Sequence, residues 1–357
     1  MRRSARMAGR WEGRAGMGNH FDGLRLAAAL AVFVSHGVFL YRLQLPVPFP
    51  GHSLGSLAVY VFFFISGYLV QQSWARKPQW RAFALKRCMR VFPGLLVAVA
   101  FSVFILGWAV TTLPTAAYWS APGTWMNFFN NAAGLATVQT LPGVFESNPF
   151  ARAVNGSLWT IRYELFMYAL LALLAWSTRG RRWAYPAVAL VLAVLWMAAR
   201  QGQWDVRWEA IGGWGAEVFR WADFCAFGVP FFLGCTFAAY ALRPRGWMAG
   251  GALLAALCAY HADAQALRQV AVWSLIACGV FYAAHVGAPE RQGRGRIDIS
   301  YGVYIYAFPV QQAMTQLCLR QGWPLAVCLG LSLLLVLVLA VASWFWVERP
   351  CLRYGKT

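Results

Sequence analysis

Residues 324–347 are 24 consecutive positions without a charged side chain, and this run decides what kind of fold the chain can adopt. At 1.5 Å per residue a helix of that length covers about 36 Å, enough to cross about 30 Å of bilayer hydrocarbon. The inner part, Leu331–Ala342, lacks the polar–apolar alternation that a membrane barrel strand requires. Nine more apolar segments precede it, at about 24–41, 56–72, 91–112, 158–176, 184–199, 221–241, 247–261, 270–286 and 299–319. Of the 357 residues, 60% are hydrophobic and 12% charged, whereas soluble domains carry about 25% charged residues. A soluble enzyme is excluded. The expectation is an all-α integral membrane protein of about ten transmembrane helices.

Thirty-one Lys and Arg against twelve Asp and Glu give a net charge of +19. On a soluble chain that excess would suggest nucleic acid; here its distribution describes orientation, and no nucleic-acid partner is expected. The connections between segments alternate between two sets. One set, which includes both termini, carries 22 basic residues, and the other carries seven: Arg42, Arg152, Arg200, Arg207, Arg220, Arg268 and Arg320. Cytoplasmic loops collect Lys and Arg, so both termini are expected in the cytoplasm. Residues 1–20 then form a basic cytoplasmic tail, 21–348 a single transmembrane domain and 349–357 a second cytoplasmic tail. The first apolar run is too long for a signal-peptide core and lacks a suitable small-x-small site, so it reads as a retained span. None of the eight cysteines stands in a CxxC pair. They are expected to be free packing residues, with neither a metal site nor a disulfide framework.

The longest connection, 112–157, is extracytoplasmic in this orientation and shows no strong helix pattern. A segment of that length without elements of its own is often functional. A surface lid, a re-entrant segment and a loop held by interfacial aromatics all remain open. Asn155-Gly156-Ser157 matches a glycosylation tripeptide, which by itself carries little weight.

Ionisable residues inside spans are costly and usually functional. Arg25 and His36 are eleven residues apart in the first segment, three turns plus about 20°, so they share one helix face about 16.5 Å apart. That spacing suits a cytoplasmic acyl-coenzyme A, with Arg25 on a phosphate and His36 acting as base on an acceptor hydroxyl. A capping or snorkelling Arg25 and a packed His36 are the plainer alternatives. Glu164 enters the fourth segment from outside, near the expected depth of His36, with Tyr168 one turn further on the same face. It is expected to be catalytic, supporting His36 as an acid that orients it or stabilises its protonated form; contact with the acceptor, or a bond to another helix without a catalytic role, are the alternatives. Arg87 and Arg90, one turn apart, could share a phosphate or could simply anchor the third segment. Ser66, beside Gly67, marks a close helix approach or a local break, and lacks a local base that would make it a nucleophile.

The chain resembles the bacterial integral-membrane acyltransferase 3 family, whose members O-acetylate surface and exported glycans. The resemblance covers nearly all of residues 19–354. It is carried by Asn19-x-x-Asp22-Gly23-Leu24-Arg25 with His36, by Phe64-Ile65-Ser66-Gly67-Tyr68, and by Arg87-x-x-Arg90-Val91-Phe92-Pro93. Trp159-Thr160-Ile161-x-x-Glu164-x-x-Met167-Tyr168 continues the order, and Ser300–Tyr304 and Glu348-Arg349-Pro350 are weaker matches. The resemblance implies a bacterial inner-membrane location, acetyl-CoA or another acyl-CoA as cytoplasmic donor, and no bound prosthetic group. It implies central roles for Arg25 and His36, donor handling by Arg87 and Arg90, and support from Asp22, Ser66, Trp159 and Tyr168. The acceptor is expected to be an extracytoplasmic glycan or lipid-linked saccharide; membrane lipid surrounds the chain, and self-association is left open. Many relatives carry a histidine where this chain has Ala307, which weakens any catalytic role for the late motif. A polysaccharide transporter or export component is the competing function, though no internal repeat supports it. A purely structural partner in glycan synthesis is a third.

Overall fold

Every one of the ten apolar segments forms a helix in the computed structural model, which describes residues 19–44, 46–202, 207–208, 219–288 and 297–354. The basic tail 1–18, Arg291, Arg294, Arg296 and Lys356, which contribute to the charge asymmetry, lie outside the described residues. In chain order the helices are α1 (Phe21–Leu40), α2 (Leu54–Arg76), α3 (Trp80–Val110), α4 (Thr115–Ser120), α5 (Pro122–Ala133) and α6 (Ile161–Ser177). Then come α7 (Ala184–Arg200), α8 (Trp221–Ala239), α9 (Gly246–Tyr260), α10 (Gln265–His285), α11 (Ser300–Gln321) and α12 (Leu325–Tyr354). A two-residue antiparallel ladder pairs Arg207–Trp208 with Phe219–Arg220. The chain is an all-α, multi-pass membrane protein.

Seven helices, α1, α2, α3, α6, α8, α10 and α12, are long and apolar enough to cross a membrane, and α7 and α9 are shorter apolar helices. Large apolar side chains such as Trp176, Leu190, Trp247 and Trp346 face outward, as a lipid solvent requires. α11 is different. Its Gln311, Gln312 and Thr315 have no exposed surface, so it is a polar-cored helix enclosed by the bundle rather than a lipid-facing one.

α8 packs on α2 and α7, while α11 packs on α1 and α12. The α2–α8 crossing brings backbone against backbone: a Cβ on Gly67 would strike the Phe231 carbonyl, and one on Gly234 the Phe64 carbonyl. The close approach expected from Ser66-Gly67 is therefore real.

Two expectations need correction. Residues 112–157 contain α4 and α5, and α5 opens on Pro122 and closes on Gly134 at φ +69°. Both are ordinary helix-boundary signals. Cys318 and Cys328 are joined in a disulfide, because the turn at Gly322 folds α12 back on α11; the other six cysteines are free.

The remainder of that connection packs into the bundle against α11. Asn148 donates to the Gln312 side chain (2.8 Å) and carbonyl (3.0 Å), and Gln312 donates to the carbonyls of Phe150 and Ala153. Asn155 then donates to the Ile305 carbonyl at 2.9 Å, seven residues and about 10 Å further down α11. Irregular backbone at such depth is tolerated where neighbouring protein satisfies its polar groups, as α11 does here. Asn155 is buried in this contact, so the glycosylation reading fails.

Candidate functional site

Two cavities meet inside the bundle. The Arg25 cavity, of about 490 Å³, is bounded by α1, α2, α3, α6 and the start of α11. The His36 cavity, of about 810 Å³, opens at the opposite end of α1. Val59 and Tyr304 line both. The Tyr304 hydroxyl shares a 2.6 Å hydrogen bond with Thr160, which pins it between the two spaces.

Arg25 and His36 do project from one face of α1, one into each cavity. His36 sits edge-on to Phe308, with ring centroids 5.1 Å apart, and its Nδ1 is buried without a hydrogen-bond partner. Trp159 lines the His36 cavity, whereas Asp22, Ser66, Arg87, Arg90, Glu164 and Tyr168 line the Arg25 cavity.

Glu164 is therefore not the partner of His36. Its carboxylate accepts from the Ser66 hydroxyl at 3.1 Å and from the Tyr168 hydroxyl. The depth expectation erred because the segment packed against α11 delivers the chain to α6 already inside the bundle: Ser157 and Leu158 are buried before the helix begins. Counted from there, Glu164 falls level with the Arg25 cavity.

The two arginines of α3 also differ from each other. Arg90 binds Asp298 (Nη2–Oδ2 2.7 Å) and lies 3.8 Å from Glu348, while Arg25 reaches the same Asp298 oxygen at 3.5 Å. Burial would raise the Asp298 carboxyl, but Arg90 and then Arg25, with hydrogen bonds from Ser300, hold it down at about 2. Arg87 instead lies over the rings of Phe83 and Tyr168, with Nε buried and unpaired. Among the described residues neither Arg87 nor its neighbour Lys86 has a carboxylate partner, and both line the cavity. Arg90 is an anchored cation; Lys86 and Arg87 are the ones open to an anion.

Asp298 was not anticipated from sequence. The available signal was its scarcity: the chain has only twelve acidic residues, and this one lies two positions before the Ser300–Tyr304 motif. That weak motif supplies Ser300, Tyr301 and Tyr304 to the Arg25 cavity, and the other weak motif supplies Glu348, which faces Arg90 from behind the lining. Among the described residues no group of three His, Cys, Asp or Glu could hold a metal ion.

Apolar helices around two cavities that share Val59 and Tyr304 define a multi-pass membrane protein with its site inside the bundle. The family model described as Acyltransferase domain matches residues 19–347, and the chain belongs to that acyltransferase 3 family. It is similar to an O-acetyl transferase of Shigella phage Sf6, 29% identical over 93% of this chain and 95% of the relative. It is also similar to Nodulation protein 10 of Rhizobium leguminosarum bv. viciae, 28% identical over 96% and 95% of the two chains. No solved structure matches the chain.

Proposed function

We propose that the protein transfers an acetyl group from cytoplasmic acetyl-CoA to a hydroxyl of an extracytoplasmic glycan or its lipid-linked precursor. In this reading α7, α9 and α11 also cross the membrane, giving ten spans with both termini inside. The donor's phosphates meet Lys86 and Arg87 at the Arg25 cavity, where each can supply charge-assisted contacts. Its flexible arm rises along the α1 face past Tyr304, and the thioester meets the acceptor beside His36. Nδ1 of His36 is buried, which leaves Nε2 as the nitrogen that faces the acceptor. Nε2 takes the hydroxyl proton as the oxygen attacks the thioester carbonyl; the new C–O bond replaces the C–S bond, and the proton passes to the departing thiolate. Asp298 and Arg90 position Arg25, and Glu164, held by Ser66 and Tyr168, lines the passage of the arm.

The observation that carries this reading is the pair of cavities meeting at Tyr304, with Arg25 in one and His36 in the other. An enzyme that moves a group across a bilayer needs such a passage and a base at its far end. The test is acetyl transfer by full-length protein in lipid nanodiscs supplied with labelled acetyl-CoA and separate candidate glycans. His36→Gln should lower transfer by about 10²–10⁴-fold while acetyl-CoA still binds. Near-normal turnover by that variant would reject the general-base role.

A further inference from the structure

The His36 cavity carries a charge that membrane orientation does not explain. By the loop asymmetry only seven basic residues fall on the outer side, where Lys and Arg are disfavoured. Four of those seven, Arg42, Arg200, Arg220 and Arg268, line this one cavity. They arrive from four places: just after α1, the last residue of α7, the residue preceding α8, and the first turn of α10. Convergence of that kind reflects the site, not the topology.

The charge is also poorly balanced. Asp223 is the one carboxylate among the described lining residues, and it pairs with Arg220 at 3.6 Å. Among the described residues Arg42, Arg200 and Arg268 have no carboxylate partner, and Arg200 meets the neutral amide oxygen of Gln265 at 2.8 Å once that amide is turned to face it. Burial, then the charge of Arg268, lowers the His52 imidazole away from its charged form, and the described lining residues, four arginines against Asp223, keep a net charge of plus three. Like charges gathered in a cleft repel one another and focus a field that favours an anion.

We propose that this cluster binds an anionic group of the acceptor, a phosphate or a carboxylate close to the hydroxyl that His36 serves. The acceptor is then an acidic saccharide or a diphosphate-linked one, not a neutral glycan. This rests on the reading of the His36 cavity as the acceptor side. Guanidinium forks match both anions bidentately, so the site is built for the shared chemistry, and the source of the anion is decided by experiment.

The experiment uses the full chain in phosphatidylcholine nanodiscs with coenzyme A saturating the Arg25 cavity, so that only the second cavity is free. Binding of inorganic diphosphate, glucuronate and glucose is measured by calorimetry. At least one anion should bind ten-fold or more tightly than glucose. The preference should shrink with added salt, collapse in Arg200→Gln/Arg268→Gln, and persist in Arg200→Lys/Arg268→Lys. Preference for diphosphate points to a lipid-carrier phosphate, and preference for glucuronate to an acidic sugar. Binding of neither anion, or an unchanged preference in the folded glutamine variant, overturns the proposal. So does loss of anion binding in phosphatidylglycerol discs, which would assign the cluster to membrane lipid. A chain that binds the anion yet transfers no acetyl group would refute only the acyl-transfer reading, and the converse result would refute only this one.

Discussion

Asp298→Asn keeps the shape of the side chain and deletes the charge that joins Arg25 to Arg90. Two routes give the size of the effect. Burial opposes ionisation of this carboxyl, yet Arg90 and Arg25 hold it at about 2 against an ordinary 3.8. At 1.36 kcal/mol per pH unit, that depression contributes about 2.4 kcal/mol of folding free energy at neutral pH. Removing one partner of a fully buried pair costs about 3–5 kcal/mol, but these side chains are 11–19% exposed, so solvent softens the loss. A destabilisation of about 2–3 kcal/mol satisfies both arguments. The folded carboxyl titrates below the unfolded one, so its contribution is complete above about pH 4 and fades as the pH falls through about 2. Reversible denaturant unfolding of both proteins in nanodiscs should show the gap at pH 7 and its closure in strong acid. A gap below about 0.5 kcal/mol at pH 7, or one that survives undiminished at about pH 2, would refute the ion-pair account.

Arg87→Gln should weaken acetyl-CoA binding by about 10–100-fold, the worth of one charge-assisted contact, and an unchanged Kd would return Arg87 to simple anchoring. Gly67→Val places a side chain on the Phe231 carbonyl and should cost about 3 kcal/mol or more in unfolding measurements, whereas Gly250→Ala, with open space around it, should be neutral or slightly stabilising. Ser147→Cys, in a background without Cys88 and Cys258, should react with an impermeant thiol reagent from outside intact cells; labelling from the cytoplasm alone would invert the orientation.

Apolar run length located the ten major helices, because lipid-facing and bundle-facing positions are both apolar and the run itself is the signal. The shared face of Arg25 and His36 followed from helix periodicity alone. The residues that join the site across the bundle were harder to read. Asp298 is separated by 273 residues from Arg25 and 208 from Arg90, and nothing near it in sequence announces either partner. Glu164 was placed at the wrong depth because depth was counted from a surface that the chain does not touch there. Helix α5 escaped notice although Pro122 and Gly134 bracket it, since the intervening aromatics suggested an interfacial loop. The Cys318–Cys328 bond is not legible from spacing, because the break between 319 and 324 marks a turn at Gly322 but not which side chains that turn brings together.

The dependence of the segment between α5 and α6 on α11 sets an order of assembly. Asn148 and its partner Gln312 are 164 residues apart, so the amide that receives the segment does not exist when the segment leaves the ribosome. At about 5–20 residues per second, roughly ten to thirty seconds of synthesis separate the two. Throughout that interval the segment waits with its amides hydrated, because the hydrocarbon offers them nothing. α6, which hangs from the segment's buried end, cannot reach its final depth any earlier. Helix α11 thus acts as the stopper that completes the first half, and a nascent chain cut short before residue 300 would carry Arg25 and His36 without Tyr304 between their cavities and without a seat for the segment.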